Sequence, residues 1–137
     1  MSDLIIDANI LLGSLFGTSM RMLRDLNDRG FALTTPAAQA EEVATVVPHV
    51  ARHKAVPMPN PSILWSLVSV TGQEDYASFQ TQAMARLVGC ARDKDWPLLA
   101  LAMAFNAPVM TRDRDLFGTG IVTWLPENIR YAEPETV

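Results

Sequence analysis

Apolar positions along the chain fall into short continuous runs, and these alternate with longer stretches in which apolar residues recur every three or four positions. Asp3–Asp7 holds three consecutive aliphatics, Leu4-Ile5-Ile6, the pattern of a central parallel strand covered on both faces. Ala8–Gly13 then reads as helical, with Asp7-Ala8-Asn9 as the turn into it and Gly13 or Gly17 as the break. Thr18–Arg29 carries Met20, Leu23 and Leu26 on one side and Arg21, Arg24, Asp25 and Asp28 on others, which predicts an amphipathic surface helix that Gly30 stops. Phe31–Thr34 is a second short strand.

Thr35-Pro36 supplies an N-cap and a proline at the first helical position for the next helix. Along it Pro36, Gln39/Ala40, Val43, Val46/Val47 and Val50 form one stripe at about 100° per residue. Glu42 falls at the flank of that stripe, Glu41 nearly opposite, and Pro48 is expected to kink or end the helix. The proline-rich piece Val56–Pro61 reads as a turn or rigid connector. Ser62–Val68 follows as a helix, Val68–Val70 as a short strand, and Tyr76–Val88 as a helix with Tyr76, Phe79, Ala83 and Leu87 in register. Trp96–Phe105 has no polar face and should be buried on nearly all sides, and Pro97 sits in its first turn, where a missing N–H does no harm. Pro108–Thr111 is then a strand, Arg114–Phe117 at most one helical turn, and Ile121–Trp124 a last strand. This alternation predicts a three-layer α/β/α domain with a mainly parallel central sheet, whose ligand crevice lies beyond the carboxyl ends of the strands. Asp7 and Asp113 both stand at such ends.

Composition narrows the class. At 137 residues the chain fits one domain, 1–137, and 49% hydrophobic with 19% charged residues is ordinary for a globular protein, without repeat or low-complexity tract. One cysteine, Cys90, forms no internal disulfide and lies among apolar residues, which fits a reduced cytoplasmic setting and a small buried hydrophobe rather than a nucleophile. The N-terminus lacks a basic region, Asp3 and Asp7 interrupt its apolar run, and no run elsewhere is long enough to span a bilayer, so a soluble chain with no membrane role is expected. A net charge of −4 speaks against a nucleic-acid partner unless the acids are concentrated in one place. Setting Asp7, Glu42, Asp95 and Asp113 aside leaves eleven acidic against eleven basic residues, a neutral remainder. The basic residues fall in groups at Arg21/Arg24/Arg29, Arg52/Lys54, Arg92/Lys94 and Arg112/Arg114, and the last two groups flank Asp95 and Asp113.

Asp7, Asp95 and Asp113 each precede a predicted helical turn, so each can serve as an N-cap, and Glu42 taken alone reads as a solvated flank residue. Four acids converging on one crevice have a different meaning. Carboxylates crowded in a partly dry cleft repel one another, and a stable cluster normally holds a cation. Oxygen-only ligands select Mg²⁺ or Mn²⁺, ions that polarise a phosphoryl oxygen, activate water and stabilise a leaving oxygen. The implied chemistry is phosphodiester hydrolysis. Asn9 and Thr111 are of the right type to aim ligating carboxylates by hydrogen bonds, and both are equally suited to turns.

The segments LIIDANILL, PAAQAEEVATVV and DWPLLALAMAFNAPVMTRDRDLF, in that order, resemble a PIN domain, the fold of many small metal-dependent ribonucleases, including the toxins of virulence-associated toxin-antitoxin systems. The likeness covers nearly the whole chain. D-x-N after a strand is common, but the joint spacing is more specific: an early acid, a glutamate on the third helix, and two late aspartates 18 residues apart. The resemblance matches the first acid to Asp7 with Asn9 beside it, and the glutamate to Glu42 rather than Glu41, because an aliphatic residue, here Val43, usually follows it. It matches the third acid to Asp95 and the fourth to Asp113 within Thr111-Arg112-Asp113, with Asp93 and Asp115 as nearby alternates. Leu116 stands between Asp115 and Phe117, a departure from the family pattern that touches local packing. The resemblance implies an endoribonuclease that needs Mg²⁺ or Mn²⁺, an RNA substrate, a homodimer, and inhibition by a small antitoxin protein.

Other readings compete. A catalytically silent PIN-like scaffold that binds RNA or a protein partner is the main alternative, and retention of all four acids argues against it. Asp7-Ala8-Asn9 lacks the D-x-D-x-T of a haloacid-dehalogenase type, and the paired acids and late lysine of a receiver domain are absent. His49 and His53 have the i, i+4 spacing of a helical metal pair, but no acid lies between them and no third ligand is evident. Trp65, Trp96 and Trp124 offer faces on which bases can stack, yet their settings fit core or dimer-contact positions better.

Overall fold

Five parallel strands form the central sheet of the computed structural model, which describes residues 2–88 and 93–134. Cys90 and Arg92 lie outside the described residues, as does the side chain of Asp93. In chain order the elements are β1 (Ser2–Ile6), α1 (Ala8–Phe16), α2 (Ser19–Asp28), β2 (Phe31–Pro36), α3 (Ala37–Lys54), α4 (Ser62–Leu67) and β3 (Val68–Thr71). They continue with α5 (Gln80–Arg86), α6 (Trp96–Phe105), β4 (Val109–Met110) and β5 (Thr123–Trp124). Strand order across the sheet is β3-β2-β1-β4-β5, with Ile5 beside both Thr34 and Val109, and Ile6 beside Met110.

The aliphatic run of β1 explains why it is central. Leu4 and Ile6 enter a core on one face with Leu11, Leu23, Leu26, Val43 and Val47, while Ile5 enters a second core on the other face with Tyr76, Leu87 and the α6 residues Leu98–Ala102. Period-two alternation thus feeds two separate cores, and this makes three layers. Helix α6 has apolar residues all round and is buried from Pro97 to Ala102, although Met103–Phe105 keep partial exposure. It ends at Asn106 in the left-handed conformation (φ 49°), which asparagine tolerates better than most residues, and the chain turns there into β4.

Four sequence expectations are corrected. Thr35 does not cap α3: it stays in β2 and its hydroxyl donates to the Ile6 carbonyl at 2.8 Å, so the strand runs on to Pro36 and the helix begins one residue later. Pro48 neither breaks nor ends α3, which continues for six residues to Lys54. The expected helix over Tyr76–Val88 is shorter, because Gln73–Asp75 and Ala77–Phe79 are 3₁₀ turns that set the fully buried Tyr76 against Trp96 at 5.9 Å between ring centroids. The last two strands shrink to two residues each, consistent with edge pairing in which only Val109/Thr123 and Met110/Trp124 are in register. Trp65 and Trp124 pack against the first core and Trp96 against the second.

Candidate active site

Chain order and strand order together locate a crevice. The sheet grows outward from β1 through β2 to β3, then the chain crosses back and adds β4 on the other side of β1. The carboxyl ends of β1 and β4 therefore flank the topological switch point, where open α/β sheets bind their ligands. Asp7 follows β1 and Thr111-Arg112-Asp113 follows β4. Helices α1 and α3 begin directly after β1 and β2, and α6 runs antiparallel to the strands to end at the start of β4, so all three start at this same edge. Helix N-termini carry partial positive charge, which moderates the repulsion among carboxylates gathered there.

Around Asp7 the hydrogen bonds are closed and directional. Asp7 is 1% exposed, and its Oδ2 accepts from the Thr111 hydroxyl at 2.6 Å and, weakly, from the Asn9 amide at 3.4 Å. The same Thr111 oxygen accepts from the Asp113 N–H at 3.0 Å and from the Asn9 amide at 3.3 Å. With donors approaching on those sides, the one hydroxyl proton of Thr111 is committed to Asp7. Asn9 Oδ1 in turn accepts from the Arg112 N–H at 3.3 Å, which fixes the orientation of the Asn9 amide.

Asp95 joins this group through a residue that the sequence pattern hid. Gln39, on the first turn of α3, is buried; its Oε1 accepts from the Ala8 N–H at 2.8 Å and its Nε2 donates to Asp95 Oδ1 at 3.3 Å. Read along the helix, Gln39 is one member of an apolar stripe, and the available signal was a polar residue on that stripe. Its bond to Ala8 satisfies one of the N–H groups that the start of α1 leaves without an intrahelical partner. Asp7 and Asp95 occupy the N-cap positions of α1 and α6, yet neither side chain makes a capping hydrogen bond. Asp113 does cap: its Oδ1 accepts from the Asp115 N–H at 2.8 Å at the start of the Arg114–Leu116 turn.

Asp7, Asn9, Thr111 and Asp113 thus form one network, with Asp95 tied to the residue after Asp7 by Gln39. Glu42 lies on α3 three residues beyond Gln39 and is exposed, as are Glu41 and Asp115. The charge of Glu41 is felt elsewhere, at Tyr76. Burial pushes that phenol above its ordinary value of 10.0, an effect opposed by a backbone hydrogen bond at Ala38 and reinforced by Glu41 and Glu74. His49 and His53 are exposed on α3.

Among the described residues no three His, Cys, Asp or Glu side chains close into a metal-holding group. The donor chemistry nevertheless suits a hard cation. It offers oxygen only, with two buried carboxylates at one sheet edge that are not spent on capping. A cavity of about 700 Å³ opens elsewhere, at the amino ends of the strands between Ser2, Phe31, Asn106 and Pro108. It contains none of the residues at the carboxyl ends of β1 and β4 and stands apart from the switch point.

Comparison with known proteins agrees with this architecture. The family model of the PIN domain matches residues 5–133. Among solved structures, the chain is similar to one from the VapBC2 complex of Rickettsia felis bound to a DNA fragment from their promoter, with a TM-score of 0.68 and 12% identity over 90% of this chain and 98% of that one. It is also similar to a chain of a toxin-antitoxin complex from Klebsiella pneumoniae, with a TM-score of 0.63 and 17% identity over 89% and 96%. At such identities the likeness is one of fold. No curated protein matches the sequence.

Proposed function

The chain belongs to the PIN domain family, and from that membership we propose that it is a metal-dependent endoribonuclease, the toxin of a toxin-antitoxin pair. The observation that carries the reading is the pair of buried aspartates, Asp7 and Asp95, that stand at helix starts beside the switch point without capping either helix. Asp7, Glu42, Asp95 and Asp113 would hold Mg²⁺ or Mn²⁺, and the ion when bound supplies Lewis acidity at a phosphoryl oxygen. Thr111 and Asn9 aim the Asp7 carboxylate through their hydrogen bonds. Arg112, whose guanidinium donates to Ser19 Oγ at 2.9 Å next in sequence to Asp113, supports a contact with the RNA phosphate backbone. Arg114 is less suited to that role, because it pairs with Glu127 at 3.7 Å.

Both solved relatives come from toxin-antitoxin complexes, which supports a small antitoxin protein as partner. A homodimer and a cytoplasmic setting complete the reading, the latter on the single cysteine of the chain. No helix among the described residues is long and apolar enough to cross a membrane.

Cleavage of RNA with Mn²⁺ present should stop on adding EDTA and be abolished in Asp7→Asn and Asp113→Asn while circular dichroism stays native. Full activity in either variant overturns the proposal. The second reading, a silent scaffold binding RNA or a protein, is favoured by the lack of a closed three-acid group among the described residues. Thermal unfolding with Mn²⁺ separates the two: a site at one hundred times its Kd stabilises by about 2.7 kcal/mol, whereas a scaffold gives no shift.

A further inference from the structure

We propose that Gln39 is a positioning residue for the metal site: its amide holds the Asp95 carboxylate in a ligating orientation and ties it to the start of α1, directly after Asp7. The inference rests on the reading of Asp95 as a ligand. Ala8 N–H can only donate, so the oxygen of the Gln39 amide must face it at 2.8 Å and the NH₂ must face Asp95 at 3.3 Å. The orientation of the amide is therefore set by the backbone of α1 and not by the carboxylate it serves. Gln39 is 3% exposed and Asp95 5%, so water does not readily replace either bond. One side chain thereby joins three separate starts at the carboxyl edge: α1 through Ala8, α3 on which it sits, and α6 through Asp95.

By taking the Ala8 N–H, Gln39 satisfies an orphan donor of α1 from another element, while the Asp7 carboxylate accepts from Thr111 and Asn9. A purely structural glutamine would satisfy Ala8 equally well without a second bond to a buried carboxylate. Partners that orient ligating groups typically change metal affinity by 10–100-fold when removed.

The test is Mn²⁺ binding to the full chain, read from the electron paramagnetic resonance of free Mn²⁺, in wild type, Gln39→Met, Asp95→Asn and the double variant. Gln39→Met keeps the volume and loses both hydrogen bonds. Its Kd for Mn²⁺ should rise about 10–100-fold, and the double variant should bind no more weakly than Asp95→Asn alone, since Gln39 acts through Asp95. Wild-type affinity in Gln39→Met, or additive losses in the double variant, overturns the proposal and leaves the metal site standing. Absence of Mn²⁺ binding in wild type removes the metal site and the proposal with it. Gln39→Ala, which leaves room for a water on Ala8 and favours helix, carries the same comparison if the methionine variant does not fold. Failure of both variants to fold also overturns the proposal, because Gln39 would then hold the whole fold rather than one carboxylate.

Discussion

Thr111→Val replaces one buried hydroxyl by a methyl group of nearly the same shape, and its effect can be worked out bond by bond. Thr111 is 0% exposed; the variant loses its bond to Asp7 Oδ2 at 2.6 Å and strips an acceptor from the Asp113 N–H at 3.0 Å and from the Asn9 amide at 3.3 Å. A hydrogen bond to a charged acceptor contributes about 1.5–3 kcal/mol. The Asp113 and Asn9 bonds are part-buried, so losing them adds less than the full desolvation penalty of a buried group. A total of about 3 kcal/mol, at roughly 4 °C per kcal/mol for a chain of this length, lowers Tm by about 12 °C. With a urea m-value of about 2 kcal/mol/M the midpoint falls by about 1.5 M. RNA cleavage, measured well below the new Tm, should fall by about 10–100-fold because the Asp7 carboxylate is no longer aimed. Thr111→Ser is the control: it keeps the hydroxyl, loses a buried methyl at a cost of about 1 kcal/mol, and should retain cleavage. Unfolding of Thr111→Val within about 0.5 kcal/mol of wild type would refute the reasoning, and so would equal loss of cleavage in the two variants.

Two further outcomes bear on the fold. Because burial raises the Tyr76 phenol, the folded state holds its proton more tightly than the unfolded chain; the resulting stability is fully present below pH 10 and is lost as pH rises through the folded value. Urea titrations from pH 8 upward should show this loss, and Tyr76→Phe should flatten it, whereas an identical alkaline limb in the variant would rule Tyr76 out as its source. Pro48 lies inside α3 without an N–H for the Ala44 carbonyl, so Pro48→Ala should stabilise by about 1–3 kcal/mol in thermal unfolding. A lower Tm in that variant would mean that the proline is matched to the helix around it.

Legibility in the sequence followed the strength of each local signal. β1 and α6 were readable because one is an unbroken aliphatic run and the other an unbroken apolar helix, patterns that few alternatives share. The Thr35-Pro36 boundary misled because an N-cap signature and a strand end look alike until the Thr35 hydroxyl is seen to reach Ile6 across the sheet. Tyr76 has the register of a helical position but sits between two 3₁₀ turns, a distinction carried by its packing on Trp96 rather than by spacing. Strand order was not readable at all, since two-residue strands such as β4 and β5 carry almost no pairing information, and with it the switch point stayed hidden. Asp7 and Asp113 could be singled out as acids at predicted strand ends, whereas Thr111 was equally suited to a turn. Gln39 gave only the signal of a polar residue on an apolar stripe, because its importance lies in a bond to a residue 56 positions away.

The bond from Thr111 to Asp7 spans 104 positions, and this has a consequence in time. A chain made from its N-terminus exposes Asp7, Asn9 and Glu42 early, but a nascent fragment ending before Thr111 has only the longer Asn9 contact at 3.4 Å and lacks the Thr111 hydroxyl that donates at 2.6 Å. At about 5–20 residues per second, the interval between making Asp7 and making Thr111 is roughly 5–20 s. Through that interval the nascent chain lies beside the messenger that encodes it, with Asp7, then Glu42 and finally Asp95 present and the Thr111 hydroxyl still to come. The bond that holds the Asp7 carboxylate at 2.6 Å forms only when β4 pairs with β1.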